Sequence, residues 1–509
     1  MPGVGECQGT SGDIMNSEAK SAPRSYVRPV SKAGGEHYGI GLRLSERKLL
    51  LCLIDLAIVN LTLYLALTMR QDSPAGRPLL GVNPLWFVSL SCLWLIVGAI
   101  FDIYNLSRAA KVMPSMWAAV LTVLVTTGVY LITPYITPTL PGSRLQVFTL
   151  VIIPVAGVGI WRVLYAYLIV QPVFEQHAII IGAGSAGTEL VRTVTTTGDP
   201  TSRAGRGSGY HLLGFIDDDP QKQNTMIEGV PVLGTCHHLR ELVRQLRPDE
   251  LIVAITHMDN INPALFQAIL DCREMGVKVT TMTEFFERLT GQVPIEHAGN
   301  DLSAALPTNE QYIERIYELL CLLIDLIVGA IGCVVLALLI PLVWLGNILM
   351  SPGSLFYTQE RVGQGGRVFR IRKFRSMVVD AEKLSGAIWA TKNDPRITPI
   401  GRFLRRSRID EVPQIINLLK GDMSLVGPRP ERPEFVEKLA EMIPYYRVRH
   451  AVKPGLTGWA QVKYRYGRSF EDTRIKLQYD LYYIKHRSLY LDLLIVLKTI
   501  QVVLMFKWQ

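Results

Sequence analysis

"LLCLLIDLIVGAIGCVVLALLIPLVWLGNILM", residues 319–350, is the stretch that decides how this chain is built around a membrane. The part before Pro341 is apolar and long enough to cross the hydrocarbon core of a bilayer. Asp325 lies inside this apolar run, and Pro341 interrupts it. Proline removes a backbone hydrogen bond and kinks a helix. The stretch therefore predicts either a full span or a re-entrant helix over 319–350 that bends at Pro341 and leaves on the side it entered.

Four further apolar stretches precede it, and each is long enough, or nearly so, to span a bilayer. They cover residues 49–69, 85–101, 115–131 and 146–170. We predict four transmembrane helices within residues 43–172, after a Gly-, Ser- and Pro-rich tail at 1–42 that we expect to be disordered and that lacks the pattern of a signal peptide. Lys and Arg are commoner in the tail and the 102–114 loop than in the opposite loops, which places both ends of the bundle in the cytoplasm.

A glycine-rich turn follows the predicted bundle, in "HAIIIGAGSAGTELVRTV" at residues 177–194. A buried-strand pattern leads into glycines with the spacing of a dinucleotide-binding turn. These glycines are Gly182, Gly184 and Gly187. A second predicted strand ends in Asp217, and further strands and helices complete a Rossmann-like α/β domain over 173–310. The motif alone is a weak signal and the 195–210 loop separates Asp217 from the turn by more than the usual spacing, so nucleotide binding stays open.

Basic residues are concentrated in the last third of the chain. From Pro352 to the end there are 29 Lys and Arg against 15 Asp and Glu, a net charge of +14, whereas the whole chain carries +9. Such a field suits anionic lipid headgroups or phosphorylated substrates. We predict no nucleic-acid partner, because this third is joined to membrane segments and has no recognised nucleic-acid motif. The seven cysteines form no CxxC and the nine histidines show no metal-ligand spacing, so neither a disulfide framework nor a histidine metal site is predicted.

Two adjacent carboxylates, Asp410 and Glu411, begin a short amphipathic helix that Gly421 ends. Around them in sequence, stretches rich in Pro and Gly or in alternating basic residues present cations. These are Lys373, Arg375, Arg405, Arg429 and Lys453. Cations held in this way bind phosphates, and adjacent carboxylates can hold Mg²⁺ that bridges a diphosphate. The pattern predicts a site for a phosphorylated substrate.

The position of the pair suggests its chemistry. A carboxylate at a helix N-terminus stays ionised because the macrodipole favours the anion. Adjacent helical side chains point about 100° apart, so one can face a phosphorus atom while the other faces a metal. An ionised Asp is a credible nucleophile for phosphoryl transfer through an acyl phosphate. Taken alone, the pair would be an N-cap with a solvated neighbour; the surrounding cations favour the catalytic interpretation.

Three long motifs carry a family resemblance. They are "KFRSM" at 373–377, "RRSRIDEVPQIINLLKGDMSLVGPRPERPEF" at 405–435 and "VKPGLTGWAQV" at 452–462. With them, the segment from about Ile313 to the end resembles the catalytic module of bacterial polyprenyl-phosphate glycosyl-1-phosphate transferases, the monotopic phosphoglycosyl transferases. The transmembrane bundle and Rossmann-like domain are similar to the large subclass. The segment 469–504 is similar to members that start exopolysaccharide assembly.

The resemblance implies that a sugar-1-phosphate moves from a UDP-sugar to undecaprenyl phosphate at the cytoplasmic face of the bacterial inner membrane, with release of UMP and a need for Mg²⁺. By the same resemblance, Asp410 is the nucleophile, Glu411 the Mg²⁺ ligand, and Arg429 and Lys453 phosphate-binding cations. One departure is that Ile340 precedes Pro341, where the family's re-entrant helix usually has Ser-Pro. The expected fold is a membrane α/β protein whose re-entrant helix and mixed, largely helical catalytic domain occupy 311–509.

Two other classes of protein remain as alternatives. A membrane-anchored NAD-dependent nucleotide-sugar dehydratase or epimerase would explain the glycine turn, but no Tyr in the chain has Lys four residues later. A non-enzymatic membrane scaffold would describe the first 310 residues and leaves the carboxylates and arginines without a use. We predict that residues 44–310 are dispensable for chemistry and serve stability or dimerisation, which leaves a homodimer open. The sugar cannot be inferred from the sequence.

Overall fold

The computed structural model describes residues 44–68, 83–109, 111–135, 137–138, 144–168, 176–197, 209–255, 262–297, 311–379, 381, 394–464 and 469–504. The prediction for the 1–42 tail and most of that for the 195–210 loop lie outside the described residues.

The first part of the chain is a bundle of apolar helices, and all four predicted stretches form helices. Its elements are α1 (Leu44–Thr68), α2 (Pro84–Ile100), α3 (Leu106–Ala109), α4 (Val112–Ile132) and α5 (Arg144–Leu168). Three of them, α1, α4 and α5, are long and apolar enough to cross a membrane, whereas α2 is apolar with 17 residues. Asn83 begins α2 by accepting a hydrogen bond from the Leu85 N–H, and Pro84 occupies the first turn, where its missing donor costs nothing.

The bundle also contains a buried ion pair. The Arg162 guanidinium of α5 donates to the Asp55 carboxylate of α1, and both side chains are fully buried. Trp94 of α2 and Leu63 of α1 lie in the apolar core of the same bundle. Because removing one member of a buried ion pair strands an uncompensated charge, this pair ties α1 to α5.

The second part is the expected α/β domain. Its elements are β1 (Gln176–Ile181), α6 (Ser185–Thr197), β2 (Tyr210–Ile216), β3 (Met226–Ile227), β4 (Val230–Gly234), α7 (Leu239–Leu246), β5 (Glu250–Val253), α8 (Pro263–Glu274), β6 (Lys278–Thr281) and α9 (Met282–Thr290). The strand order is β3-β4-β2-β1-β5-β6, and every pair is parallel except β3 with β4. Residues 178–181 of β1 are fully buried, as expected for a central parallel strand covered by helices on both faces.

A single long helix, α10 (Gln311–Met350), contains the stretch on which the membrane topology depends. Pro341 lies inside the helix, which continues on both sides of it. The helix is therefore not divided in two at the predicted bend. One face of α10 packs on residues 400–419 of the chain that follows. Three glycines of α10 lie so close to side chains of that segment that a Cβ would clash with them. The contacts are Gly329 with Leu419, Gly332 with Ile415 and Gly346 with Ile400. Most of the other large apolar side chains of α10 are exposed, which suits contact with lipid.

The third part is the catalytic domain suggested by the sequence. Its elements are β7 (Phe356–Val362), β8 (Val368–Phe374), α11 (Pro399–Arg406), a 3₁₀-helix (Ile409–Gln414), α12 (Ile415–Lys420), β9 (Ser424–Val426), α13 (Pro433–Met442), β10 (Gly455–Thr457), α14 (Trp459–Lys463), α15 (Phe470–Lys485) and α16 (Leu489–Leu504). β7 and β8 form an antiparallel hairpin, and β9 pairs with β10 in parallel.

The segment that follows α9 of the α/β domain packs into the core of the catalytic domain. Val293 and Ile295 are buried in the same apolar cluster as Trp459 and Leu477 of the catalytic domain. The Val293 N–H donates to the Gln478 carbonyl oxygen at 3.1 Å. The sequence assigned these residues to the α/β domain over 173–310, but their side chains help to build the core of the next domain.

Candidate active site

The Asp410–Glu411 pair lies on the 3₁₀-helix Ile409–Gln414, which leads directly into α12. Arg408 just before it adopts a left-handed conformation with φ of 60°, which turns the chain from α11 into this helix. Asp410 is 7% exposed, and within the described structure its Oδ1 has no hydrogen-bond partner. A buried carboxylate oxygen without a partner is costly, so Oδ1 is a candidate for a functional role.

Glu411 lies among three cations. Its Oε1 is 2.9 Å from Lys373 Nζ and 2.7 Å from Arg429 Nη2, and its Oε2 is 3.3 Å from Arg408 Nη1. Lys373 comes from β8 and Arg429 from the Pro-Arg-Pro turn after β9, so three distant parts of the sequence meet here. The cluster carries more positive than negative charge, which favours binding of an anion.

The two carboxyl groups ionise differently. Burial and the adjacent charge of Glu411 raise the pKa of Asp410 to about 6. Lys373 and Arg408 oppose this rise without cancelling it. Burial also disfavours the charged form of Glu411, but Arg429, together with Lys373 and Arg408, holds the pKa of that carboxyl well below its usual range. At neutral pH both groups are ionised, and Asp410 is the one close to protonation.

Arg405 and Arg375 occupy different surroundings. The Arg405 Nε donates to Ser376 Oγ at 2.9 Å, and its charge helps to lower the pKa of Asp410. Arg375 is buried beyond the end of α10, where its Nε donates to the Ser354 carbonyl oxygen at 2.7 Å and its Nη1 donates to Ser351 Oγ at 3.1 Å. The structure thus brings Arg405 near the pair and places Arg375 at the end of the membrane helix.

The turn after β9 and the segment 453–458, which contains β10, pack against each other through glycines. A Cβ on Gly427 would lie 2.4 Å from the Lys453 carbonyl oxygen, and one on Gly458 would lie 2.2 Å from the Gly427 carbonyl oxygen. No side chain fits between these loops, which explains the glycines in "LVGPRP" and "PGLTG". The Lys453 ammonium lies near Gly421, where a Cβ would be 3.7 Å away, and among the described residues it has no ion-paired partner.

Sequence reasoning missed two arginines of the site. Arg408 belongs to the basic segment before Asp410, and its position three residues before Glu411 allows the ion pair that the structure shows. Arg449 is buried and donates to the Arg429 carbonyl oxygen at 2.8 Å and to Asp480 Oδ2 at 2.9 Å. Arg449 thereby holds the turn that presents Arg429, and no local signal in the sequence indicates this long-range contact.

The glycine turn of the α/β domain has its own acid. Asp217 Oδ2 accepts hydrogen bonds from the Ala183 N–H at 2.7 Å and from Lys222 Nζ at 3.2 Å, and its Oδ1 accepts from the Asp219 N–H at 2.9 Å. Gly182 has φ of 101°, and a Cβ on Gly187 would lie 2.2 Å from the Gly182 carbonyl oxygen, so both glycines shape the turn. Asp217 is thus bonded to the turn itself.

A magnesium ion would find few protein ligands here. In the parts of the chain that the structure describes, no group of three or more His, Cys, Asp or Glu side chains comes together. Mg²⁺ is often held by only one or two carboxylates together with substrate phosphates. Glu411 fits such a site if substrate oxygens complete the coordination and its present cationic partners, Lys373 and Arg429, turn to the substrate phosphates.

Two family models match separate parts of the chain. The bacterial sugar transferase family matches residues 316–506, which include every residue of the site, and the CoA-binding domain family matches residues 99–268. A UDP-N-acetylgalactosamine-undecaprenyl-phosphate N-acetylgalactosaminephosphotransferase of Aeromonas hydrophila is 39% identical over 303 residues, which cover 58% of this chain and 67% of that protein.

Two other relatives extend the comparison. A UDP-galactose-lipid carrier transferase of Erwinia amylovora is 30% identical over 357 residues, which cover 66% of this chain and 69% of that protein. A UDP-glucose:undecaprenyl-phosphate glucose-1-phosphate transferase of Xanthomonas campestris pv. campestris is 46% identical over 177 residues, which cover 34% of this chain and 37% of that protein. The chain is therefore a membrane-bound enzyme that belongs to the bacterial polyprenyl-phosphate glycosyl-1-phosphate transferases.

Proposed function

We propose that this enzyme transfers a sugar-1-phosphate from a UDP-sugar to undecaprenyl phosphate, releases UMP, and catalyses the first membrane step of exopolysaccharide synthesis. The observation that carries the proposal is the buried, unpartnered Oδ1 of Asp410 beside Glu411 and its three cations. The names of the three relatives support the donor and acceptor classes, since they contain UDP-sugars and undecaprenyl phosphate or a lipid carrier.

The reaction proceeds in two displacements at one phosphorus atom. The Asp410 carboxylate attacks the sugar-linked phosphorus, an Oδ–P bond forms, and the P–O bond to UMP breaks. An oxygen of undecaprenyl phosphate then attacks the same phosphorus, and the Asp410 carboxylate leaves with the electron pair of the Oδ–P bond. Dividing the transfer in this way replaces one difficult step by two easier ones.

The surrounding residues stabilise charge in both steps. Arg429 offers a planar guanidinium that can hold two phosphate oxygens, and Lys373 offers a point charge. Both now pair with Glu411 and can redistribute to an incoming diphosphate. Mg²⁺, when bound at Glu411 with substrate oxygens, would neutralise part of the diphosphate charge. The high positive charge of the domain would draw both anionic substrates toward the site.

The membrane placement that we propose keeps the catalytic and α/β domains on the cytoplasmic face of the inner membrane. The catalytic domain contacts α10 from Asp325, whose Oδ1 accepts from the Leu425 N–H at 2.7 Å, to Gly346, which packs on Ile400. This contact extends about 30 Å along a helix that rises 1.5 Å per residue. Since about 30 Å is also the thickness of the hydrocarbon core, a perpendicular span would draw the domain into lipid. The contact supports a helix that stays on one side.

Cysteine labelling tests this placement. Glu228 of the α/β domain and Arg370 of the β7–β8 hairpin are both exposed. Each is replaced by a single cysteine in an otherwise cysteine-free chain. An impermeant maleimide should label both positions in inverted vesicles, whose outer surface is the cytoplasmic face, and neither position in right-side-out vesicles. Labelling of the two positions from opposite faces would contradict the same-side arrangement.

Intact-protein mass spectrometry tests the covalent step. Incubation with UDP-sugar alone should add the mass of one sugar phosphate, labile to hydroxylamine and located on Asp410. Glu411→Gln should form the adduct slowly and need more Mg²⁺. Ternary kinetics without any adduct would show that transfer is direct. A panel of radiolabelled UDP-glucose, UDP-galactose and UDP-N-acetylgalactosamine would identify the sugar, on which the three relatives differ.

A further inference from the structure

The end of α9 connects the α/β domain to the catalytic domain through a buried carboxylate. Glu287 Oε1 is 2.9 Å from Lys485 Nζ, and its Oε2 is 2.7 Å from His486 Nε2. Glu287 is buried, whereas Lys485 is half-buried and His486 is exposed, so neutralising Glu287 would remove the counter-ion of the Lys485 ammonium. On the other side of the helix, Arg288 Nη2 is 2.7 Å from Glu250 Oε1 of β5. α9 is therefore fastened both to its own sheet and to the catalytic domain.

One turn further on, the backbone of Gly291 holds Trp459. The Trp459 Nε1–H donates to the Gly291 carbonyl oxygen at 2.9 Å. Gly291 ends α9 with φ of 71°, and a Cβ there would lie 3.2 Å from the indole ring. Glycine thus serves both the left-handed turn and the close approach of the ring. Lys463 Nζ also lies over the indole ring, 4.7 Å from its centroid.

Aromatic side chains of the catalytic domain also stack on one another next to the end of α9. Tyr482 stacks on Trp459 with 6.1 Å between ring centroids and lies 4.5 Å from the His486 ring. Glu287, Gly291, Trp459, Tyr482, Lys485 and His486 therefore form one connected set, which we call the interdomain clamp. The first two belong to the α/β side and the others to the catalytic domain.

Two residues, Thr457 and Gly458, connect Trp459 of the interdomain clamp to the loops of the active site. Trp459 follows Gly458 and β10, and the Thr457 carbonyl oxygen accepts from the Gly427 N–H at 2.9 Å. The Gly455 N–H in turn donates to the Pro428 carbonyl oxygen at 3.0 Å, next to Arg429. Since the glycines leave no free space between these loops, a shift of Trp459 moves the turn that presents Arg429.

We propose that Trp459 is a positioning residue for the transfer reaction, and that the interdomain clamp lets the α/β domain hold the donor-phosphate loops, residues 427–429 and 453–458, in their binding geometry. Trp459 does not itself touch substrate in this scheme. The inference rests on the proposed role of Arg429 and Lys453 in binding the donor. It gives the α/β domain a task in donor binding that does not depend on a ligand in the glycine turn, and it thereby departs from the expectation that residues 44–310 are dispensable for chemistry.

The experiment uses the full chain in detergent with UDP-glucose, UDP-galactose and UDP-N-acetylgalactosamine as donors. Glu287→Gln and Trp459→Phe should each raise the KM for the donor by roughly 3- to 30-fold, the range for residues that couple sites at a distance. kcat and the KM for undecaprenyl phosphate should change less than twofold. Glu284→Gln, an exposed acid on the same helix, is the matched control and should change none of these values.

Hydrogen exchange separates positioning from general destabilisation. In Glu287→Gln, the amides of residues 424–428 and 455–458 should exchange faster, while those of 179–181 in the core of the α/β sheet should not change. A donor KM equal to that of the unmodified enzyme in Glu287→Gln would overturn the inference, as would faster exchange throughout the chain. Lys453→Met tests the underlying proposal separately: if its donor KM is unchanged, the assignment of the loop to donor binding fails, whatever the clamp variants show.

Discussion

Two regions of the molecule have an acidic residue within a sequence motif typical of phosphate binding, but the hydrogen bonding of the two acids differs. At the glycine turn, Asp217 accepts hydrogen bonds from two backbone N–H groups and pairs with Lys222. At the catalytic site, Asp410 has an oxygen without a partner, and the neighbouring cations outnumber the carboxylates. The first acid is satisfied by its own turn, and the second keeps a free oxygen among cations that can attract an anionic substrate. The difference shows that chemistry is to be sought where polar groups remain unsatisfied.

The largest effect should come from replacing the unsatisfied acid. Asp410→Asn keeps the size of the side chain but removes the nucleophilic charge, so turnover should fall by roughly four to six orders of magnitude, as when the central group of a covalent mechanism is lost. Radiolabel transfer to undecaprenyl phosphate measures it. The same change at the other region, Asp217→Asn, is the matched control; comparable losses in both would abolish the contrast between the regions.

A large effect is also expected from Arg429→Lys. The charge is kept, but the planar fork that can hold two phosphate oxygens is lost. The donor's kcat/KM should fall roughly 100-fold, the cost of removing one fixed donor at a transition state. Lys222→Arg at the glycine turn provides the comparison and should leave kcat/KM unchanged. A fully active Arg429→Lys enzyme would mean that Arg429 supplies only charge.

The pH profile should report the raised pKa of Asp410. Only the ionised carboxylate attacks phosphorus, so activity should rise with pH through about 6 and be lost below it. Lys373 lowers the pKa of Asp410, so in Lys373→Met the residual activity should begin at a higher pH. The kcat/KM for the donor, measured from pH 5 to 8, gives both curves. An acid limb that stays in place, or moves to lower pH, would separate Lys373 from Asp410.

The smallest effect belongs to the glycine turn. Asp217→Asn should change kcat and KM less than twofold, because no contact joins Asp217 to the catalytic site among the described residues. It should lower the free energy of unfolding of the α/β domain by about 1 kcal/mol, the worth of a hydrogen bond. Differential scanning fluorimetry and steady-state kinetics of the same preparation measure both. A changed KM with unchanged stability would assign Asp217 to a ligand rather than to the fold.

Much of the fold could be predicted because its signals are local. Apolar runs predicted the helices of the bundle, and the strand–glycine–helix pattern at 177–194 predicted the α/β domain. The carboxylate pair was found in the same way, because Asp410 and Glu411 are neighbours within a basic segment. Lys373 and Arg429 could be proposed as phosphate-binding cations only by their residue type and their motifs.

Other features depend on contacts between distant residues. Arg449 reaches Arg429 and Asp480, and Glu287 reaches Lys485 and His486. Neither pattern has a period or a spacing by which it could be recognised. The same is true of Val293 and Ile295, whose apolar side chains suit either domain until the packing assigns them to the catalytic core.

The sequence by itself thus determined the order of the domains, the apolar helices, and the two acids with their positive surroundings, since hydrophobic periodicity and residue type act over a few neighbours. Tertiary structure alone decided which cations meet Glu411, why Asp410 is harder to ionise than Glu411, and how the end of α9 reaches the active-site loops. The physical reason is that burial and electrostatic interaction depend on distances in space, and folding brings together groups that are far apart along the chain.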